Sequence, residues 1–273
     1  MHKFLRAIGF SDITKKDLEM ILDEVITRPE IMKITKDSEG NEFAELSGSF
    51  AANAGITVRG TYQEDDSFHM DYYYPYVFGT SITTNEQIDV EKHAEKESYA
   101  GVCDEVNLGV TLIFYIQNVA DYLAETNRHL SKIHYGAMLA GLSTEGKILC
   151  PVVERKKNDV PAIQKNDRHN QLIAQAREGD EDAIESLTLE DMDTYALLSQ
   201  RVMKEDIFSI VKSTFMPFGI ESDQYTVLGE IIDCVTMENR LTHEKLYGMK
   251  LLCNNIQFDV CINEKAVSYT HLT

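Results

Sequence analysis

The amino-acid sequence predicts an α+β protein. Three observations carry that prediction: an early stretch with apolar residues at helical spacing, a change to period two from Glu42 onward, and a return to alternation after residue 223. The helix comes first. In "TKKDLEMILDEVITRP", Thr14 and Asp17 form a capping pair, and Leu18, Ile21, Leu22, Val25 and Ile26 fall on one helical face. Pro29 disfavours helical geometry at Arg28, which ends the helix. "EFAELSGSF", "GITVRGTYQ" and "SFHMDYYYPYVFG" then alternate as strands, the last two joined by turn chemistry at "EDDS".

"NEQIDVEKHAEKESYAGVCDEVN" is polar and reads as loop with some helix, whereas the continuous apolar run "GVTLIFYIQ" suits a strand covered on both faces. "NVADYLAETNRHL" keeps helical spacing, and "AMLAGLSTEGKILCPVV" reads as a hairpin turning at Glu145 and Gly146. These elements make an N-terminal α+β domain over residues 1–153, a helix plus an antiparallel β-meander. Residues 154–222 read as a linker, "ERKKNDVPAIQKN", followed by an acidic helical segment. Its helices are "RHNQLIAQARE", closed by Gly179; "EDAIESL", capped by Asp180; "EDMDTYALLSQRV", opened by Thr188 and Asp191; and "EDIFSIVKSTF", ended by Pro217 and Gly219. Residues 223–266 return to β with "QYTVLGEIIDCVTMEN", "KLYGMKLLCNN" and "IQFDVCINEK". This is a C-terminal meander turning around "RLTHE", with part of a small barrel as one way to complete it.

The final seven residues break the pattern. Val267 to Thr273 read back as GTC TCT TAT ACA CAT CTG ACG, the end of a transposon-based sequencing adapter, and the adapter's preceding CT agrees with a GCT codon for Ala266. Residues 267–273 are therefore expected to be adapter-encoded, the native chain to be cut near residue 266, and the tail to trail outward with few burying contacts. Phe258, Val260 and Ile262 are expected to pack inward against the preceding strands.

Charge narrows the partners. With 45 acidic against 26 basic residues the formal charge is −19, which repels phosphate backbones and anionic membranes, so neither nucleic acid nor a membrane is an expected partner. The start shows no signal-peptide core, and no apolar run approaches membrane-spanning length, which together predict a cytoplasmic protein. Five cysteines, Cys103, Cys150, Cys234, Cys253 and Cys261, form no CxxC pair and read as reduced thiols.

Two stretches hold the candidate sites. "EKHAEKESYAGVCDE" gathers Glu91, His93, Glu95, Glu97, Cys103, Asp104 and Glu105. On a strand, His93, Glu95 and Glu97 share one face and suit a divalent cation; Cys103 is a candidate nucleophile with His93 as its base and Asp104 beside it. A solvated polar loop accounts for the same residues, and no specific metal spacing such as HExxH is present. "EGDEDAIESLTLEDMD" carries eight acidic residues and no basic one. Ordinary helix starts explain it, and the sharper alternative is a docking surface for a basic protein built on Asp180, Glu181, Asp182 and Glu185. The aromatics of "FHMDYYYPYVF" read as core and cross-strand pairs in preference to base stacking, given the acidic surroundings.

"MHKFLRAIGFSDI", "HAEKESYAGVCDEVNLGVTLIFYIQN", "AREGDEDAIESLTLEDMDTY", "DQYTVLGEIID" and "FDVCIN" together resemble an uncharacterised family from anaerobic, clostridia-type Gram-positive bacteria, described as a domain of unknown function. The resemblance spans residues 1–265 and implies no activity, cofactor or catalytic residue. It does imply that relatives continue past "FDVCIN" with glycine-containing strand segments. The expected function is a non-catalytic interaction or regulatory protein. The alternative is a metal-assisted hydrolase, or a thiol enzyme, using the segment from His93 to Glu105.

Overall fold

A computed structural model describes residues 2–92, 98–105, 107–108, 110–127, 136–151, 214–218 and 223–272. A 3-10 helix, Lys3–Ile8, precedes α1 (Lys15–Thr27). The Thr14 hydroxyl accepts the Asp17 N–H and the Asp17 carboxylate accepts the Thr14 N–H, a complete capping box that places Leu18, Ile21, Leu22 and Val25 on the buried face. Removing the cap by Thr14→Ala leaves an orphan N–H and is expected to cost about 1 kcal/mol, readable in denaturant melts.

Four antiparallel strands follow in the order β1 (Ile31–Lys36), β2 (Glu42–Ala51), β3 (Ala54–Tyr62) and β4 (Phe68–Val77). The β3–β4 hairpin closes where "EDDS" predicts, through the Gln63 N–H to the Ser67 carbonyl. β1 carries no alternating pattern and is not evident in the sequence; it is an edge strand that leaves Ile31, Met32 and Ile34 exposed. The other faces of this sheet are better covered. Leu46, Ile56 and Val58 join Leu5, Ile8 and the α1 residues in one buried cluster.

The polar stretch expected as loop and helix instead forms β5 (Asp89–Lys92) and β6 (Tyr99–Glu105), which with β7 (Val110–Tyr115) make a three-stranded antiparallel sheet. Burial alternates only along the second half of β6, from Gly101 to Glu105, and the polar residues on either side of this short stretch mask the strand in the composition. β7 is an edge strand with Leu112 buried and Thr111 and Tyr115 exposed, so the expected cover on both faces is absent. α2 (Val119–Asn127) then buries Val119, Ala120 and Leu123.

β8 (Ala140–Ser143) and β9 (Gly146–Pro151) do not pair as the expected hairpin. Each runs parallel to a C-terminal strand, and these long-range pairings replace the local one. β10 (Thr214–Pro217) pairs with β11 (Tyr225–Leu228), so Thr214 and Phe215 are strand and not the end of a helix. The remainder of the acidic helical segment lies outside the described residues. Gly229 divides the long strand expected from residue 224 into β11 and β12 (Glu230–Glu238); a Cβ there would sit 2.8 Å from the Leu252 carbonyl oxygen.

β12, β13 (Lys245–Cys253) and β14 (Ile256–Asn263) form the expected antiparallel meander, with β8 beside β14. Phe258, Val260 and Ile262 are buried as expected. Cys261 on the opposite side of β14 joins the cluster of Leu5, Ile8 and Leu46, so this strand is covered on both faces. Phe258 and Val260 enter a second cluster with Cys103, Leu108 and Leu112. None of the described sheets closes into a barrel. β15 (Val267–Leu272) pairs in parallel with β9, in place of an outward-trailing tail, while Tyr269 is 59% exposed. The molecule is α+β, dominated by antiparallel strands.

Candidate functional site

The sequence places its densest set of reactive groups along β5 and β6. Register decides which of them meet. Lys92 pairs with Tyr99 and Asp89 with Val102, so Asp104 lies five residues along the strand from Tyr99, about 17 Å at ordinary strand rise. His93, Glu95 and Glu97 lie outside the described residues. Val102 and Asp104 share the exposed face of β6 and, with Glu86, Gln87 and Asp89, line an open cavity of about 300 Å³. Thr111, opposite Asp104 in the ladder, donates its hydroxyl to the Asp104 carboxylate.

Cys103 faces the other way. It is 1% exposed, and burial, reinforced by the nearby carboxylates Glu105 and Glu86, pushes its thiol up to about 11. The thiolate is the nucleophile, so Cys103 is a poor one at neutral pH in this setting. Exposed Cys234 is expected to react quickly with a thiol reagent, whereas Cys103 should be labelled only after denaturation. Mass-spectrometric mapping after a brief iodoacetamide pulse checks this, and rapid labelling of Cys103 would contradict it. Glu105 is 1% exposed; its Oε1 accepts the backbone and side-chain N–H groups of Asn107, and its Oε2 has no partner among the described residues. Among the described residues, no three His, Cys, Asp or Glu side chains are arranged to hold a metal ion. What the arrangement offers is an acidic, open recess that attracts cations weakly.

Asp180, Glu181, Asp182 and Glu185 lie outside the described residues. Two other features of the structure are not evident in the sequence. One is a buried polar layer on the α2 side of the first sheet. Lys33, Glu45, Arg59 and Tyr72 align across the four strands, and Ser47, Thr57 and Tyr74 align on the next row. Arg59, 2% exposed, donates Nε–H to Glu45 at 2.9 Å, Nη1–H to the Tyr72 hydroxyl at 2.8 Å, and Nη2–H to the Tyr74 hydroxyl at 2.6 Å and the Gln117 carbonyl at 2.8 Å. Tyr74 also donates to the Gln117 carbonyl, and burial pushes its phenol well above the ordinary value. Glu45 accepts the backbone N–H of Ala120, in the first turn of α2. Burial nevertheless raises its carboxyl against the pull of Arg59. Through Gln117, just before α2, Arg59 and Tyr74 tie the start of that helix to the sheet.

The second feature is β12. It ends its sheet, and eight of its nine residues are exposed, among them Ile231, Ile232 and Val235. In the sequence this strand reads no differently from β13 and β14, yet it is the most exposed of the three.

Comparison with known proteins finds no curated protein and no solved structure that matches. A family model described as "Domain of unknown function, E. rectale Gene description" (DUF3881) matches residues 5–269, nearly the whole chain. The chain belongs to this DUF3881 family.

Proposed function

We propose that the chain is a non-catalytic, cytosolic interaction or regulatory protein that engages a basic protein partner. The observation that carries this reading is β12, an outer strand with both faces exposed and three large aliphatic side chains in water. The chain's charge of −19 adds long-range attraction for a cationic surface. In this proposal the acidic run of residues 178–193, with Asp180, Glu181, Asp182 and Glu185, supplies a second contact for the same partner. The cytosolic setting rests on that charge and on free cysteines; among the described residues, no helix is long and apolar enough to cross a membrane.

The rival is metal-assisted hydrolysis by the segment from His93 to Glu105. Purified chain, loaded with Zn²⁺ or Mn²⁺ and then gel-filtered, is expected to retain well under one metal per chain by elemental analysis. About one retained metal, lost in His93→Ala and in Asp104→Asn, would overturn the interaction reading.

A further inference from the structure

β7 ends the order β5–β6–β7, and its sequence, "VTLIFY", has no charged side chain. The outer strand β1 carries Lys33 and Lys36, and β12 carries Glu230, Asp233 and Glu238, the kind of residue that discourages a further strand from pairing at an edge. β7 lacks that protection. Its β-branched and aromatic residues favour pairing, and no charge lies anywhere from residue 106 to residue 120.

A side chain occupies this edge instead. The ladder sets Leu112 opposite Cys103 and Phe114 opposite Gly101, and Ile113 between them turns its N–H and C=O away from β6. The Ile113 N–H donates to the Tyr225 hydroxyl at 2.7 Å, and the same hydroxyl donates to the Ile113 carbonyl at 3.2 Å. One phenol thus takes both of the main-chain groups that a neighbouring antiparallel strand would take at that residue. Tyr225 reaches β7 from β11, with its ring against Phe215 of β10, whose own ring packs edge-on against Phe258 of β14. That packing is made by the rings, so it does not account for the hydroxyl.

We infer that Tyr225 is an edge block built into the fold, filling the strand-pairing position on β7 and keeping a second copy of the chain from adding its own β7 there. A second copy is what the block must exclude, because in no register of β7 against β7 do two charges meet. About a twofold axis at Ile113 the two copies of that residue would exchange both of their hydrogen bonds.

The test uses the full chain and reads one amide and one molecular size. In wild type at low concentration, hydrogen exchange resolved to single residues is expected to find the Ile113 amide protected, although β7 meets no further strand among the described residues. Tyr225→Phe keeps the ring and should speed exchange at Ile113 by about tenfold or more, while the Leu112 and Phe114 amides on the β6 side stay slow. Sedimentation velocity at rising concentration should then show Tyr225→Phe passing to a larger species than wild type at the same concentration. Adding Ile113→Pro to that variant should reverse the change, since proline has no N–H to offer a second copy and the one removed faces away from β6. Rapid exchange at Ile113 in wild type would overturn the proposal whether or not the variant folds. So would a Tyr225→Phe chain that matches wild type in size at every concentration, and so would a larger species that survives Ile113→Pro.

Discussion

Arg59→Met is expected to lower the unfolding free energy at pH 7 by about 3–5 kcal/mol, enough to unfold a marginal domain. The guanidinium fills five hydrogen bonds in the layer between the first sheet and α2, and its partner Glu45 is itself 5% exposed. With Arg59 gone, a carboxylate is buried without its counter-charge and the carbonyls of Ile116 and Gln117 lose a donor. The pH dependence identifies the cause. Glu45 already sits above its ordinary value through burial, and loss of Arg59 raises it further. A carboxyl raised in the folded state binds protons there that the unfolded chain does not, so the variant gains stability as pH falls through the folded-state value toward the unfolded one. Urea melts at pH 7 and pH 5 should therefore show the deficit shrinking at the lower pH. A deficit below about 1 kcal/mol would mean that the layer is not the bond between α2 and the sheet. The pair Glu45→Leu with Arg59→Met should recover part of the loss, because no charge is then left alone.

Asn239→Ala should cost about 3 kcal/mol, since it orphans buried groups on both sides of one side chain. Asn239 is fully buried; its amide donates to the Ile8 carbonyl at 2.7 Å while its oxygen accepts the N–H groups of Leu241 and Thr242. Thr242 in turn donates to the Gly9 carbonyl, so the β12–β13 loop clasps the N-terminal 3-10 helix. Gly9 has φ +92, and a Cβ there would stand 2.7 Å from the Asn239 Cβ, so the clasp closes only on glycine. Asn239→Asp keeps the acceptor but turns a carboxylate toward the Ile8 carbonyl. Its destabilisation should ease as pH falls, because the protonated acid regains a donor; thermal melts from pH 7 to pH 4 read the effect. Equal stability of wild type and Asn239→Ala would show that the loop is dispensable.

What the sequence discloses is what local chemistry decides. α1, the β3–β4 turn and the β12–β14 meander follow from a capping box, turn residues and alternation, all within a few residues of one another. β8 and β9 were not legible as partners of β14 and β15, because a period of two states which face is buried and never which strand lies alongside. Cys103 is a different case. Alternation in "YAGVCDE" puts Tyr99, Cys103 and Glu105 on one face and Asp104 on the other, a signal that separates the proposed thiol from its neighbour before any fold is known. Polar composition concealed it. Arg59 offered no local sign of its role, since its five partners come from β2, β4 and the turn before α2.

The proposal that the chain works by binding through β12, and not by chemistry between His93 and Glu105, meets its sharpest test in a comparison of variants. Partner retention from lysate of the native host tests it most directly, with three immobilised full-length chains compared: wild type, Val235→Lys, and the double variant His93→Ala with Asp104→Asn. Expected is a partner band held by wild type and by the double variant, and lost with Val235→Lys. A band that survives Val235→Lys but disappears in the double variant would contradict the claim and return the function to the His93–Glu105 segment.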